Sequence, residues 1–374
     1  MLKETTLFYT QANTNVCACF VDISKAFDSV NHDILFSKLR DLGIPTSIIN
    51  MINFWYDNQF ASVKYHNSVS HEFQISNGVR QGGVLSGLLF NVYIDSLISN
   101  ISKMKVGCRL GLISSNIIAY ADDIVLLAPS IPSLNMLVNT AYTEASRLHL
   151  EFNFDKTKLM KFHSCSERKK INPSCQIVVN NHVINPVSSY KYLGYLVTGD
   201  LSYNDDILRV TRKFYSEFNS ILRKFSFSSK VVKLYLFKQY CLQFYGSELW
   251  FGPYNSLQVM RQFEVGYHKA IKKLLGLSSH ESNHYACQEA SLLTLRHLLN
   301  KNKILAVFRF ILKPCNFISK IQNFMKLSSF LVNDVSNVLD LTYDIYSMFE
   351  NDIEAIMSRI QFIQNHEKQM RVEW

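Results

Sequence analysis

Residues 16–21, VCACFV, form an unbroken apolar run that ends on an acid, Asp22. Such a run marks a strand buried on both faces. Residues 31–43, NHDILFSKLRDLG, put Ile34, Leu35, Leu39 and Leu42 on one helical stripe between a capping Asn31 and a stopping Gly43. A second helix is expected over 47–56 and a hairpin over 60–76. Residues 77–101 read as a glycine-rich loop running into a helix, an order that leaves backbone N–H groups open to a nucleotide or phosphate. In 117–130, IIAYADDIVLLAPS, two short apolar strands flank Asp122 and Asp123, which are expected at the turn between them. A helix follows over 131–150, with Leu134, Leu137, Val138, Ala141 and Ala145 as its stripe, and 155–162 is basic and partly extended. Residues 174–200 predict a strand, an Asn-Asn turn, a second strand and a third short strand. Beyond Leu201 the pattern turns helical to about residue 313, and a last helix is expected near 350–370. The main boundary falls near 200 and a weaker one near 330.

Composition adds a class and a compartment. The 374 residues are 48% hydrophobic and 18% charged, which is globular rather than disordered. No apolar run reaches the roughly 18 residues of a membrane span, and residues 1–10 lack the apolar segment of a signal peptide. The eight cysteines form no CxxC pair. They read as reduced thiols of an intracellular protein, nuclear or cytoplasmic, without a cysteine-based zinc site. The net charge of +9 is uneven: residues 1–200 carry 17 Lys/Arg against 15 Asp/Glu, 201–330 carry 19 against 7, and 331–374 carry 3 against 8. The basic stretch is interleaved with aromatics, as in RKFYSEFNSILRKF at 212–225, a surface that suits a phosphate backbone.

Adjacent carboxylates in an apolar setting repel each other, and burial raises the cost. A solvated Asp-Asp turn is the plain explanation of Asp122 and Asp123. A hard divalent cation, which takes oxygen ligands, is the chemical one. If the strand ending at Asp22 pairs with the hairpin, three carboxylates converge on one sheet edge. Such a cluster can hold two metals about 4 Å apart, one activating an attacking hydroxyl and one neutralising a leaving phosphate. A second motif, HESNH at 280–284, matches the HExxH zinc signature. Gly276 and Ser278-Ser279 read as a helix end and a new start there, so His280 is taken as a surface residue rather than a ligand.

These motifs resemble those of a known family. AYADDIVLL (119–127) looks like the YxDD hairpin of reverse transcriptases, and FVDISKAFDSVNHDIL (20–35) resembles their first catalytic block. GVRQGGVLSGLLFNVYIDSL (78–97) resembles the Gln-Gly block beneath the incoming nucleotide, while KTKLMKF (156–162) and YKYLGYLV (190–197) are similar to the later palm block and the primer-grip block. All five stand in the family's order. Their wording is most like that of non-LTR (LINE-type) retrotransposon enzymes, and KAIKKLLGLSS (269–279) resembles part of their thumb.

The resemblance implies an α+β palm over 1–200, built on an antiparallel sheet with packed helices. A basic, all-helical thumb and extension over 201–330 and an acidic helical tail over 331–374 would follow. It implies RNA-templated DNA synthesis, with an RNA template, a DNA primer and dNTPs as partners and Mg²⁺ as cofactor, two ions per site, Mn²⁺ being the alternative. Asp22, Asp122 and Asp123 would be catalytic and bind the metals, with the backbone carbonyl of Ile23 as a further ligand. Phe27 would be the aromatic gate against a ribose 2′-OH. Ala26, Gln81 and Gly82 would contact the nucleotide, and Lys156 or Lys158 would protonate the pyrophosphate. Tyr192, Leu193 and Gly194 would seat the primer end.

The sequence also departs from the family pattern. Arg80 stands where a Pro is usual before the Gln, and Gly87 where a Pro is common. Only 21 residues precede Asp22, whereas the family carries a basic fingers region upstream. The expectation is a chain truncated before the fingers, with Met1 an internal methionine of a longer frame. Two function classes follow: a working polymerase, or a non-catalytic nucleic-acid-binding remnant.

Overall fold

The computed structural model describes residues 1–111, 113–164, 176–250 and 255–311. The expected acidic tail and its helix near 350–370 lie outside the described residues. The chain divides into two compact units, Met1–Leu193 with Val197–Leu201, and Gly194–Leu196 with the chain from Ser202 on.

The first unit opens with α1 (Leu2–Gln11), followed by β1 (Val16–Val21), α2 (His32–Asp41) and α3 (Thr46–Asp57). A hairpin of short ladders comes next: β2 (Phe60–Ala61) pairs with β5 (Phe73–Gln74), and β3 (Lys64–Tyr65) with β4 (Ser68–Val69). Then come α4 (Ser86–Lys103), the two-residue strands β6 (Arg109–Leu110) and β7 (Ile113–Ser114), β8 (Ile117–Tyr120), β9 (Asp123–Ala128), α5 (Ile131–Arg147) and β10 (Lys158–Phe162). The unit closes with β11 (Ile177–Val179), β12 (His182–Ile184), β13 (Ser189–Tyr192) and β14 (Tyr195–Thr198), the last of which crosses into the second unit. The main sheet is antiparallel in the order β10-β1-β9-β8.

Every residue of β1 is buried, because the strand lies in the middle of that sheet and is covered on both faces. On one face Cys19, Val21, Ile124 and Leu126 join a core with Phe90, Tyr93 and Leu97 of α4 and Leu134, Val138 and Ala141 of α5. Burial pushes the Cys19 thiol up to about 12, which leaves it inert as a nucleophile. On the other face Phe20 stacks on Tyr190 at 4.4 Å between ring centroids and meets Tyr192 at 5.6 Å.

Local chemistry sets the element ends. Asn31 caps α2 by accepting from the Ile34 N–H at 3.0 Å. The Asn180-Asn181 turn has both residues at positive φ, as a two-residue hairpin requires. The expected third short strand of 174–200 is instead a second hairpin, β13–β14, turning at Leu193 (φ 44°) and Gly194 (φ 87°). A leucine at positive φ is uncommon and carries no turn signal. Helix α1 was not legible either, since threonines (Thr5, Thr6 and Thr10) take three of its buried positions. Thr6 and Thr10 donate back to the carbonyls of Leu2 at 2.9 Å and Thr6 at 2.8 Å, and so satisfy themselves within the helix.

The second unit is helical: α6 (Asn204–Lys224), α7 (Lys230–Leu236), a π-helical turn Phe237–Cys241, a 3₁₀ turn Ser247–Leu249, α8 (Leu257–Leu275), α9 (Asn283–Glu289) and α10 (Leu295–Ile311). Its core is aromatic. Phe214 of α6 contacts the rings of Phe237, Phe244 and Phe263 at centroid distances of 5.9, 6.2 and 5.7 Å. No helix among the described residues is long and apolar enough to cross a membrane.

One carboxylate organises this unit. Asp206 is fully buried, and its oxygens accept from the Leu196 N–H (3.0 Å), Arg209 Nε and Nη2 (2.9 and 2.6 Å) and Trp250 Nε1 (2.8 Å). Removing it strands a guanidinium, an indole and a backbone amide at once. Asp206→Ala is expected to lower unfolding stability by about 3 kcal/mol or more, read by urea denaturation. A loss under about 1 kcal/mol would show that the hub is not structural.

Candidate active site

Strand register assembles the site. β1 pairs with β9 so that Val21 faces Ile124, and Asp22 and Asp123 are the next residue on each side of that last pair. Asp123 in turn pairs with Tyr120 of β8. Cross-strand partners hold their Cβ atoms about 4.5–5.5 Å apart on one face. Side chains alternate along a strand, so Asp22 and Asp123 share the face of Phe20, away from α4 and α5.

The expected position of the two adjacent acids needs one correction. Only Asp122 lies in the turn; Asp123 opens β9. The two-residue turn is Ala121-Asp122, with Ala121 at φ 53°, a left-handed conformation that costs an alanine about 1–2 kcal/mol. The tight turn lets the strand begin at Asp123 and so fixes which face that carboxylate occupies.

Electrostatics follow from this placement. Half-buried Asp123 has its carboxyl held above the usual range, first by burial and then by the negative charges of Asp122 and Asp22. Asp22 is partly relieved by Lys156, whose Nζ lies 3.6 Å from its Oδ2. The Asp22 backbone is fixed on both sides: its N–H donates to Thr157 Oγ1 at 3.3 Å, and its carbonyl accepts from the Asn153 N–H at 2.9 Å. Ile23 is buried and bridged to Phe152. Lys158 faces Phe20 from β10.

The sequence reading missed Tyr190. It lies two residues before Tyr192, so strand alternation puts both rings on the Phe20 face. Its phenol is pushed up by burial and then by Asp22 and Asp123, which places it within the field of the acids. The period-two Tyr-Lys-Tyr spacing was the available signal.

A second cluster gathers around Phe27. Its ring stacks on Phe90 at 4.7 Å, and its neighbour Ala26 is buried. The Phe27 carbonyl accepts from the Val79 N–H at 2.7 Å, which brings the glycine-rich loop alongside. Gln81 Nε2 lies 3.4 Å from Asp28 Oδ1, and Gly82, at φ 81°, has open space where a Cβ would stand. Leu193 and Gly194 form the β13–β14 turn beside buried Tyr192. The HESNH segment is no helical zinc motif: His280 and Glu281 lie in a turn ahead of α9, and His284 lies within that helix.

Whether a hard cation fits can be judged from the donors. Among the described residues no three His, Cys, Asp or Glu side chains are drawn tightly enough together to close around one ion, so the expected convergence of three carboxylates is incomplete. The backbone nevertheless sets Asp22 and Asp123 one residue beyond the paired Val21 and Ile124, with Asp122 in the adjoining turn. The donors are hard oxygens, and Asp123 carries uncompensated like-charge repulsion. In donor chemistry and charge the residues fit a divalent ion of the Mg²⁺ type.

The family described as "Reverse transcriptase (RNA-dependent DNA polymerase)" matches residues 3–197. The chain is 32% identical over 142 residues to the Retrovirus-related Pol polyprotein from type-2 retrotransposable element R2DM of Drosophila melanogaster, covering 37% of this chain and 13% of that protein. It is 26% identical over 260 residues to the Probable RNA-directed DNA polymerase from transposon BS of the same organism, covering 65% of this chain and 28% of that one. The chain thus spans under a third of the length of either relative. Apo telomerase from Candida tropicalis aligns at 13% identity and TM-score 0.40, covering 81% of this chain and 48% of that chain.

The raised Asp123 carboxyl sets a pH dependence. An acid whose folded pKa exceeds its unfolded one stabilises the fold at low pH and loses that contribution as pH rises through the folded value. Asp123→Asn is therefore expected to raise stability at pH 7 by about 0.5 kcal/mol, a modest figure because the group is half exposed. The gain should vanish below the ordinary carboxylate range. Thermal melts across pH 3–8 check it; a variant less stable at pH 7 would contradict the like-charge assignment.

Proposed function

This chain belongs to the reverse transcriptase (RNA-dependent DNA polymerase) family, a family that generally uses divalent metal ions, and from that membership we propose that it is the polymerase segment of a non-LTR retrotransposon enzyme. Its reaction is DNA synthesis on an RNA template: a primer 3′-OH attacks the α-phosphate of a dNTP and pyrophosphate leaves. The first unit is the palm and the second a thumb. The observation that carries the reading is that Asp22 and Asp123 stand one residue beyond the Val21–Ile124 pair on adjacent strands, with Asp122 in the adjoining turn.

Asp22, Asp122 and Asp123, with the Ile23 carbonyl, are the residues to hold two Mg²⁺ ions, or Mn²⁺ in their place. When bound, such ions lower the pKa of the attacking hydroxyl and neutralise charge on the leaving oxygens. The chain's own groups do the rest. The like-charge repulsion on Asp123 is stored for a cation to relieve. Lys156, exposed and loosely paired with Asp22, can turn to the departing pyrophosphate; Lys158 is the neighbouring candidate. Phe27, braced by its stack on Phe90, is the gate against a 2′-OH, and Ala26, Gln81 and Gly82 are the neighbouring contacts for the nucleotide. Tyr192, Leu193 and Gly194 seat the primer end. In the second unit a groove of about 760 Å³ lined by Tyr215, Arg261, Gln262 and Lys269 offers cations and a stacking ring to a nucleic acid.

A second reading, nucleic-acid binding without catalysis, draws on the open carboxylate set and the Lys156–Asp22 pair. Primer extension on an RNA template with Mg²⁺ separates the two. Extension by the natural chain that falls at least about a hundredfold in Asp122→Asn supports the polymerase. Phe27→Ala should then admit ribonucleotides. Extension that survives Asp122→Asn contradicts the site. No extension, with salt-sensitive duplex binding that Asp22→Asn leaves intact, supports the second reading.

A further inference from the structure

We propose that His32 is a positioning residue, which holds the glycine-rich loop of residues 78–83 against the backbone that carries Phe27; the proposal rests on the polymerase reading above. Gly78 is the point of attachment. It sits at φ 94°, and a Cβ there would come within 2.9 Å of the Asp28 carbonyl oxygen, so the two backbones touch. Only glycine permits that approach. The contact is then hydrogen-bonded on every side. The Gly78 N–H donates to the Val30 carbonyl at 2.8 Å, and the Val79 N–H to the Phe27 carbonyl at 2.7 Å. The Gly78 carbonyl lies 2.8 Å from His32 Nε2. A carbonyl only accepts, so Nε2 carries the proton.

Two of these three bonds are backbone to backbone. His32 supplies the one that a side chain controls, and it is itself held from three directions. Its ring packs on Tyr56 at 4.8 Å and on Phe36 at 6.2 Å. The preceding Asn31 caps α2, and the Asn31 N–H donates to Tyr93 Oη at 3.2 Å. Tyr93 in turn donates to the Leu148 carbonyl at 2.5 Å. The imidazole is thus fixed to the core, and through Gly78 it fixes the loop that presents Gln81 beside Asp28. Beyond Gly78 the loop is closed on itself by Ser86 Oγ and the Gly83 N–H, both donating to the Arg80 carbonyl. These bonds tie residues 80–86 together, and Gly78 and Val79 tie the loop to the backbone of Phe27 and Val30. Loosening that attachment shifts Gln81 and Gly82 relative to Phe27 and leaves the acids in place.

The expected result is a split in kinetic constants. In His32→Ala the KM for dNTP should rise about tenfold while kcat stays within about twofold, because ground-state positioning is lost and the reacting groups are not. His32→Gln, whose amide can donate to the same carbonyl, should restore most of the difference. A merely structural histidine would lower kcat and KM fitness together and would not be rescued by an amide. Hydrogen exchange on the full chain provides the second readout. The Gly78 and Val79 amides should exchange faster in His32→Ala and recover in His32→Gln, whether or not the chain polymerises. If the natural chain extends no primer, the polymerase reading fails and exchange alone judges the attachment. Unchanged exchange, or an active enzyme with unchanged KM, overturns the proposal.

Discussion

The antiparallel register between β1 and β9 is the constraint on which the site depends. It aligns Val21 with Ile124, and with that pairing an acid on each strand arrives at the same edge and face. A slip of one residue would send Asp123 to the helix-covered face. The buried pairs Cys19–Leu126 and Val21–Ile124, packed under α4 and α5, forbid that slip. The core thus holds together two carboxylates that repel each other, and the strained Ala121-Asp122 turn adds a third. Stability is spent at this edge and regained in the apolar layer beneath it.

The remaining groups are placed by chemistry local to them. Tyr190 and Tyr192 cover the Phe20 face, and Tyr190 lies near the acids for that reason. Backbone contact at Gly78 brings the glycine-rich loop to Phe27 without any burial of Gln81, which stays exposed. In the helical unit Asp206 plays the reverse part to Asp123: its charge is fully answered by donors, so it stabilises where Asp123 destabilises.

Much of this was legible in the chain. The unbroken run at 16–21, the cap at Asn31 and the stripe of α5 are period signals, and each led to the right element. What escaped were features fixed by tertiary contact. No local signal marks Leu193 at positive φ, and threonines hide α1. The placement of Asp123 in a strand depended on a one-residue choice of turn that the apolar pattern on either side does not settle. Tyr190 was visible as a spacing, but its importance needed the stack on Phe20. The incomplete closure of the carboxylates is set by three-dimensional geometry, on which sequence pattern is silent.

The most direct measurement is the position of a bound metal: anomalous diffraction from crystals of the full chain soaked in Mn²⁺. Density between Asp22 and Asp123, with Asp122 turned toward it and Lys156 swung away, is expected. Manganese absent from this edge, with the Lys156–Asp22 pair intact, would contradict a metal-dependent centre there.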